Sequence, residues 1–248
     1  MSSQTCPSPD RTTAQEQTAQ RLAIPGMLAG ALHAHQAGRL DEAKQLYLKI
    51  LAIDVRQADC LHLLGMAEYQ AGRAEIAVKM IHRAIAVDGK QADYHSNLGL
   101  VLRDLGKLDE AVTEFRQALE LQLDKSPDNN RACAAVLSNL SDVLRLQDKV
   151  EEAKVCVELA LNLDPFHPEA HINLGNLLQG QGNPEGALSS YERALALRPD
   201  YAEAYNNLGN ILRKMGRVDE ALAHYERALA LKPDCIEAQW NRSMMQQL

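Results

Sequence analysis

Apolar residues recur along this chain at steps of three and four, the period of an α-helix, in blocks of about 14 residues set apart by short polar turns. The blocks come in pairs. Helices are expected at 24–37 and 40–53, 58–71 and 74–87, 92–105 and 108–123, 131–147 and 150–163, 168–181 and 184–197, 202–215 and 218–231, with a last one at 236–247 and no β-sheet. Turn chemistry supports these limits. Gly38, Gly72, Gly106, Gly182 and Gly216 follow the first helix of a pair, where a left-handed C-cap is usual. Asn183 before Pro184 reads as an N-cap followed by proline at the first helical position. An acidic residue at 41, 75, 109, 151, 185 and 219 falls in the first turn of each second helix, the positive end of the helix dipole.

The pairs are copies of one another. The phrase PEAHINLGNLLQGQGNPEGALSSYERALALRPD returns as AEAYNNLGNILRKMGRVDEALAHYERALALKPD after 34 residues. One alanine marks each copy, as Ala43, Ala77, Ala111, Ala153, Ala187 and Ala221, with steps of 34, 34, 42, 34 and 34. In the same frame stand Leu64, Leu98, Leu140, Leu174 and Leu208, followed by Gly65, Gly99, Ser141, Gly175 and Gly209. Bulky residues recur as Tyr47, Ile81, Phe115, Val157, Tyr191 and Tyr225, small ones as Ala84, Ala118, Ala160, Ala194 and Ala228, and closing prolines as Pro165, Pro199 and Pro233. The small residues belong where two helices approach closest, and the bulky one fills the gap beside them.

This pattern resembles the tetratricopeptide-repeat (TPR) family, and the resemblance covers nearly the whole chain. It implies an all-α, right-handed α-solenoid of six helix pairs plus a C-terminal single helix. The repeats fall at about 24–57, 58–91, 92–133, 134–167, 168–201 and 202–235, ahead of the helix at 236–247. The first repeat departs from the family pattern, with Ala31 for the glycine and Val55 for the proline. So does the fourth, with Asp148 for the turn glycine and Val157 for the aromatic, and looser packing is expected in both. The long step places LDKSPDNN between the third and fourth repeats, so either helix 108–123 runs on or a loop bulges near 124–131.

Composition narrows the function. Aromatic residues make up 4% of the chain, so Ala, Leu, Ile and Val must build the core. A formal charge of −7 without basic clusters excludes a nonspecific nucleic-acid binder. Cys6, Cys60, Cys133, Cys156 and Cys235 form no CxxC pair, which points to free thiols in a reducing compartment. Residues 1–22, rich in Ser, Thr, Gln and Pro, read as a mobile polar tail, with no signal-peptide core. No stretch approaches the ~20 apolar residues of a membrane span. A cytoplasmic protein without a membrane partner is expected.

The candidate site is a row of amides. Two places before each small Gly or Ser, on the face expected to line a groove, stand Asn97, Asn139, Asn173, Asn207 and Asn241; Asn176, Asn206 and Asn210 widen the strip. An amide can bond both C=O and N–H of a peptide backbone whatever its side chains. The row resembles the asparagine ladder in the repeats of the O-linked N-acetylglucosamine transferase family, whose groove holds target proteins. The plainer alternative is that each Asn bonds neighbouring backbone. The amides are expected to stand clear of the helix contacts, so that Asn210→Leu should cost far less than Gly209→Leu. The acidic Asp93, Glu169 and Glu203 do not suit the carboxylate clamp of chaperone-binding TPR proteins.

Catalysis finds no candidate residues. His33 and His35 lie on different sides of a helix, and His62, His95 and His171 have no ligand partner at metal spacing. No GxSxG, glycine-rich phosphate loop or HExxH is present, and no cofactor is expected. The leading reading is a non-catalytic scaffold for protein or peptide partners. The rival is the targeting portion of a larger glycosyltransferase or sulfotransferase-like enzyme. Trp240, Met244 and Met245 leave the last helix partly apolar, an edge open to weak self-association.

Overall fold

The computed structural model of the protein describes residues 11–125 and 129–245, and these form thirteen α-helices and no strand. They are α1 (Arg11–Gln36), α2 (Leu40–Ile53), α3 (Ala58–Gln70), α4 (Ala74–Val87), α5 (Ala92–Asp104), α6 (Leu108–Lys125), α7 (Asn130–Leu146), α8 (Val150–Leu163), α9 (Pro168–Gly180), α10 (Pro184–Leu197), α11 (Ala202–Lys214), α12 (Val218–Leu231) and α13 (Ile236–Met245). Two compact units divide the chain, one running to Gly106 and one starting at Lys107. In the N-terminal unit α1 packs on α2 and α3 on α4, with α5 against α3 and α4. In the C-terminal unit α6 packs on α7, the pairs α7/α8, α9/α10 and α11/α12 follow in order, and α13 rests on α11 and α12. Among the described residues no helix is long and apolar enough to cross a membrane.

Each pair closes on its marked residues. A Cβ on Gly209 would stand 2.6 Å from Tyr225 Cε1, and one on Gly175 2.5 Å from Tyr191 Cε1, so only hydrogen fits there. In the fourth repeat the serine in this slot adds a bond, Ser141 Oγ donating to Ala153 O at 2.9 Å, and Val157 is fully buried. Ala31 is fully buried in the first repeat. The departures from the family pattern therefore still close their pairs.

The turns are equally regular. Gly38, Gly72, Gly182 and Gly216 adopt φ between 73 and 77°, and Asp148 takes the same left-handed place at φ 62°. The residue after each donates back over the helix end at 2.9 Å, as Lys149 N to Leu144 O and Arg217 N to Leu212 O. Asn183 caps α10 through Gly186 N at 3.0 Å, with Pro184 first in the helix. The connections between pairs use a feature that sequence reading passed over. Asp54, Asp88 and Asp164 end α2, α4 and α8, each accepting from the N–H two residues on at 3.0, 3.1 and 3.0 Å. An aspartate after a helical block and two residues before an exposed position was the available signal.

One open alternative is decided and one expectation changes. The eight extra residues lengthen two helices: α6 has 18 residues where α4 has 14, and α7 has 17 where α5 has 13. Four residues are close to one 3.6-residue turn, so both helices lengthen while their faces keep register; residues 126–128 lie outside the described residues. The expectation of a tail over 1–22 changes for its second half. Residues 11–22 belong to α1, which carries Pro25 inside it, while residues 1–10 lie outside the described residues. Ala, Gln, Arg and Leu are good helix formers, and a helix already held by Ile24, Ala31 and Ala34 extends through them without burying Leu22, which is 77% exposed.

Candidate peptide-binding surface

The five row asparagines sit on the first helices of successive pairs, and all are half-buried. Four hydrogen-bond the preceding repeat. Asn97 Nδ2 on α5 lies 2.8 Å from His62 Nε2 on α3. Asn173 Nδ2 on α9 donates to Ser138 O at 2.8 Å and Ser138 Oγ at 3.1 Å on α7. Asn241 Nδ2 on α13 donates to Asn206 Oδ1 on α11 at 3.0 Å. Asn207 Nδ2 on α11 turns instead to Asn176 Oδ1 on α9, at 3.2 Å.

The exception has a physical reason. His62, Ser138 and Asn206 all stand immediately before the row position of their own repeat and offer an acceptor. The matching residue below Asn207 is Ile172, whose side chain carries no acceptor, and there the amide bonds Asn176 one turn further on. The expectation that these amides stand clear of helix contacts is thus overturned: their NH2 ends brace one repeat against the next. Asn206, 5% exposed, belongs to this brace and not to an open strip. The carbonyl oxygens of the four bonded asparagines take no bond from the described residues and are not sealed from solvent. Each therefore keeps an acceptor.

Asn176 and Asn210 have a different duty. Tyr191 Oη donates to Asn176 Oδ1 at 2.8 Å and to Gln179 Oε1 at 3.1 Å, and Tyr225 Oη to Asn210 Oδ1 at 2.9 Å. The tyrosine rings are fully buried pair fillers whose hydroxyls end beside these amides. Burial pushes both phenols above their ordinary 10.0. Asn210→Leu would strip Tyr225 of its acceptor, so that substitution is not the cheap one the sequence suggested.

Charges beside the row are largely paired. Arg145 holds Asp142 at 2.8 Å, and Glu169 takes Arg198 at 2.6 Å. Among the described residues no three His, Cys, Asp or Glu side chains gather as metal ligands. Cys60, Cys133, Cys156 and Cys235 are free thiols. His171 Nε2 and His95 Nε2 lie 3.0 and 3.2 Å from the backbone oxygens of Pro165 and Gly89, bracing turns.

Comparison with known proteins follows this geometry. The tetratricopeptide-repeat family model matches residues 90–165 and 166–234. The solved structure of PilF of Pseudomonas aeruginosa is similar at a TM-score of 0.71 and 21% identity, covering 91% of this chain and 99% of that one. TTC0263, a thermophilic TPR protein of Thermus thermophilus, gives 0.65 at 24% identity over 77% of this chain and 100% of its own. PilW, a type IV pilus biogenesis factor, gives 0.73 at 15% identity over 88% and 97%. At these identities the likeness is one of fold. No protein of curated function matches the sequence. Paired helices closed on Gly or Ser, left-handed turns and a 34-residue step all meet in the family model that matches the greater part of the sequence, and the chain belongs to the tetratricopeptide-repeat family.

Proposed function

We propose that this chain is a non-catalytic scaffold that holds extended segments of partner proteins along the first helices of its repeats. Asn97 in the N-terminal unit, and Asn139, Asn173, Asn207 and Asn241 in the C-terminal unit, flanked there by Asn176 and Asn210, read peptide backbone. The observation that supports this reading is the one-sided engagement of the row. Four of its amides are fixed through NH2 by the preceding repeat, which leaves an oriented carbonyl oxygen open on each. An acceptor already held in place loses little freedom when a peptide N–H arrives. Packed helices stand about 8–10 Å apart, close to three residues of extended chain at ~3.3 Å each. Backbone reading accepts many sequences, so partner choice falls to neighbouring side chains.

The test changes Asn139, Asn173 and Asn207 together to Ala in the full chain. A partner captured by the wild-type chain is purified and titrated against both proteins. Each lost bond is worth about 0.5–1.5 kcal/mol, so affinity should fall roughly tenfold or more. Ser138→Ala, which weakens the brace and keeps the row, is the control, with thermal melts alongside. Equal affinities for wild type and the triple variant would remove the row as a binding site.

The same row supports a second reading, in which these repeats are the targeting portion of a larger enzyme of the O-linked N-acetylglucosamine transferase or sulfotransferase kind. Protein binding would then be unchanged and the chemistry would lie in another domain. Sequencing the gene beyond the codon for Leu248 separates the two.

A further inference from the structure

Two residues one turn apart on α3 meet two residues one turn apart on α5. Asp59 accepts from the Tyr94 hydroxyl, and His62 Nε2 faces Asn97 Nδ2 at 2.8 Å. Between these bonds the His62 and Tyr94 rings stack with centroids 4.6 Å apart. His62 is 8% exposed and Tyr94 4%, whereas Asn97 sits half-buried at the rim of the clasp. An amide nitrogen can only donate, so the imidazole nitrogen facing it must be bare. With the amide in this orientation His62 is neutral, with its proton on Nδ1.

Protonation removes that acceptor and turns two donors on each other. A half-turn of the Asn97 amide about Cβ–Cγ restores a bond, with Oδ1 now accepting from Nε2–H, and swings NH2 to the outside. We propose that the α3–α5 clasp is a proton-operated switch in which the charge on His62 sets whether Asn97 offers a carbonyl oxygen or an NH2 group outward. Its operation needs no ligand; its consequence rests on the peptide-binding reading, since Asn97 would change from an acceptor for peptide N–H to a donor for peptide C=O. The charges acting on the ring are Asp93 on α5 and Asp59 on α3, both favouring the imidazolium; α2 and α4, also packed on α3, add none among the described residues. Burial outweighs them and holds His62 below its ordinary 6.5. The places that match His62 on α7 and α11 hold Ser138 and Asn206, which do not titrate, so the C-terminal unit keeps fixed amides.

Nitrogen-15 NMR of the full chain, isotope-labelled and followed from about pH 8 to about pH 5 around the ordinary histidine value, tests the switch. His62 should show the Nδ1–H tautomer at the alkaline end. The Asn97 side-chain NH2 resonances should then move with the His62 midpoint, below 6.5, while circular dichroism stays helical. In His62→Phe, which keeps a ring on Tyr94, the Asn97 resonances should hold still. An Nε2–H tautomer at the alkaline end, or Asn97 resonances indifferent to His62 titration, overturns the proposal. Coupled titration in a chain whose triple asparagine variant binds its partner normally would uphold the switch and discard the peptide-binding reading.

Discussion

At Gly209 the ring of Tyr225 stands where a side chain would begin, with Cε1 2.6 Å from the place of a Cβ. The ring is fully buried, and its hydroxyl is tied to Asn210 on the same helix as the glycine. Gly209→Leu must push the α11/α12 pair apart, an overpacking that costs about 1–3 kcal/mol. Asn210→Leu leaves a phenol hydroxyl without its acceptor and should cost about 0.5–1.5 kcal/mol, offset in part by the better helix propensity of leucine. Urea unfolding of both variants checks the order. Equal losses would mean that the glycine contact is softer than the 2.6 Å approach implies. The sequence frame identified Gly209 from repetition alone, but it could not show that Asn210 holds the tyrosine, because that bond spans two helices.

Helix ends carry the regularity of the repeat, and α7 ends on the one residue that breaks the glycine series. Asp148 at φ 62° bears the strain of a left-handed backbone that Gly182 and Gly216 adopt freely. Its backbone still follows the common pattern, with Lys149 N reaching Leu144 O at 2.9 Å. Asp148→Gly should therefore stabilise the chain by about 0.5–1 kcal/mol, less the greater freedom glycine has when unfolded. A urea midpoint that stays or falls would show that the aspartate side chain compensates for the strain. The position was legible in the sequence because left-handed residues recur at a fixed place. The lengthened α6 and α7 were legible only as a length: eight residues can form a loop or two helical turns, and four per helix preserves the buried faces.

Across the whole molecule, buried and half-buried titratable rings set a pH window for stability. Burial holds His62, His167 and His224 below 6.5, so the unfolded chain binds protons more readily there. The stability they contribute is present above 6.5 and is lost as pH falls through their folded values. Tyrosines bound the other side. Tyr47 and Tyr69 are pushed from 10.0 to about 12, so their contribution is present below 10.0 and is lost as pH rises through about 12. Thermal melts across this range should give a plateau between these limits that falls away at both ends. A melting temperature that rises on acidification from neutrality would contradict the lowered values of these three histidines.

Repetition in the sequence by itself determined the helices, their pairing, the tight Gly–Tyr contacts and membership of the TPR family, because each of these depends on residue types at fixed local spacing. It also put the row asparagines on one helix face. Only the tertiary structure decided what their amides do. Whether an amide meets solvent or a neighbour depends on the residue presented by the preceding repeat, and His62, Ser138, Ile172 and Asn206 differ at that place while the row itself does not. Such a contact joins atoms 31 or 35 positions apart in the chain. Its geometry is set by how two helices pack, so the asparagines could be found by counting and their bonds could not.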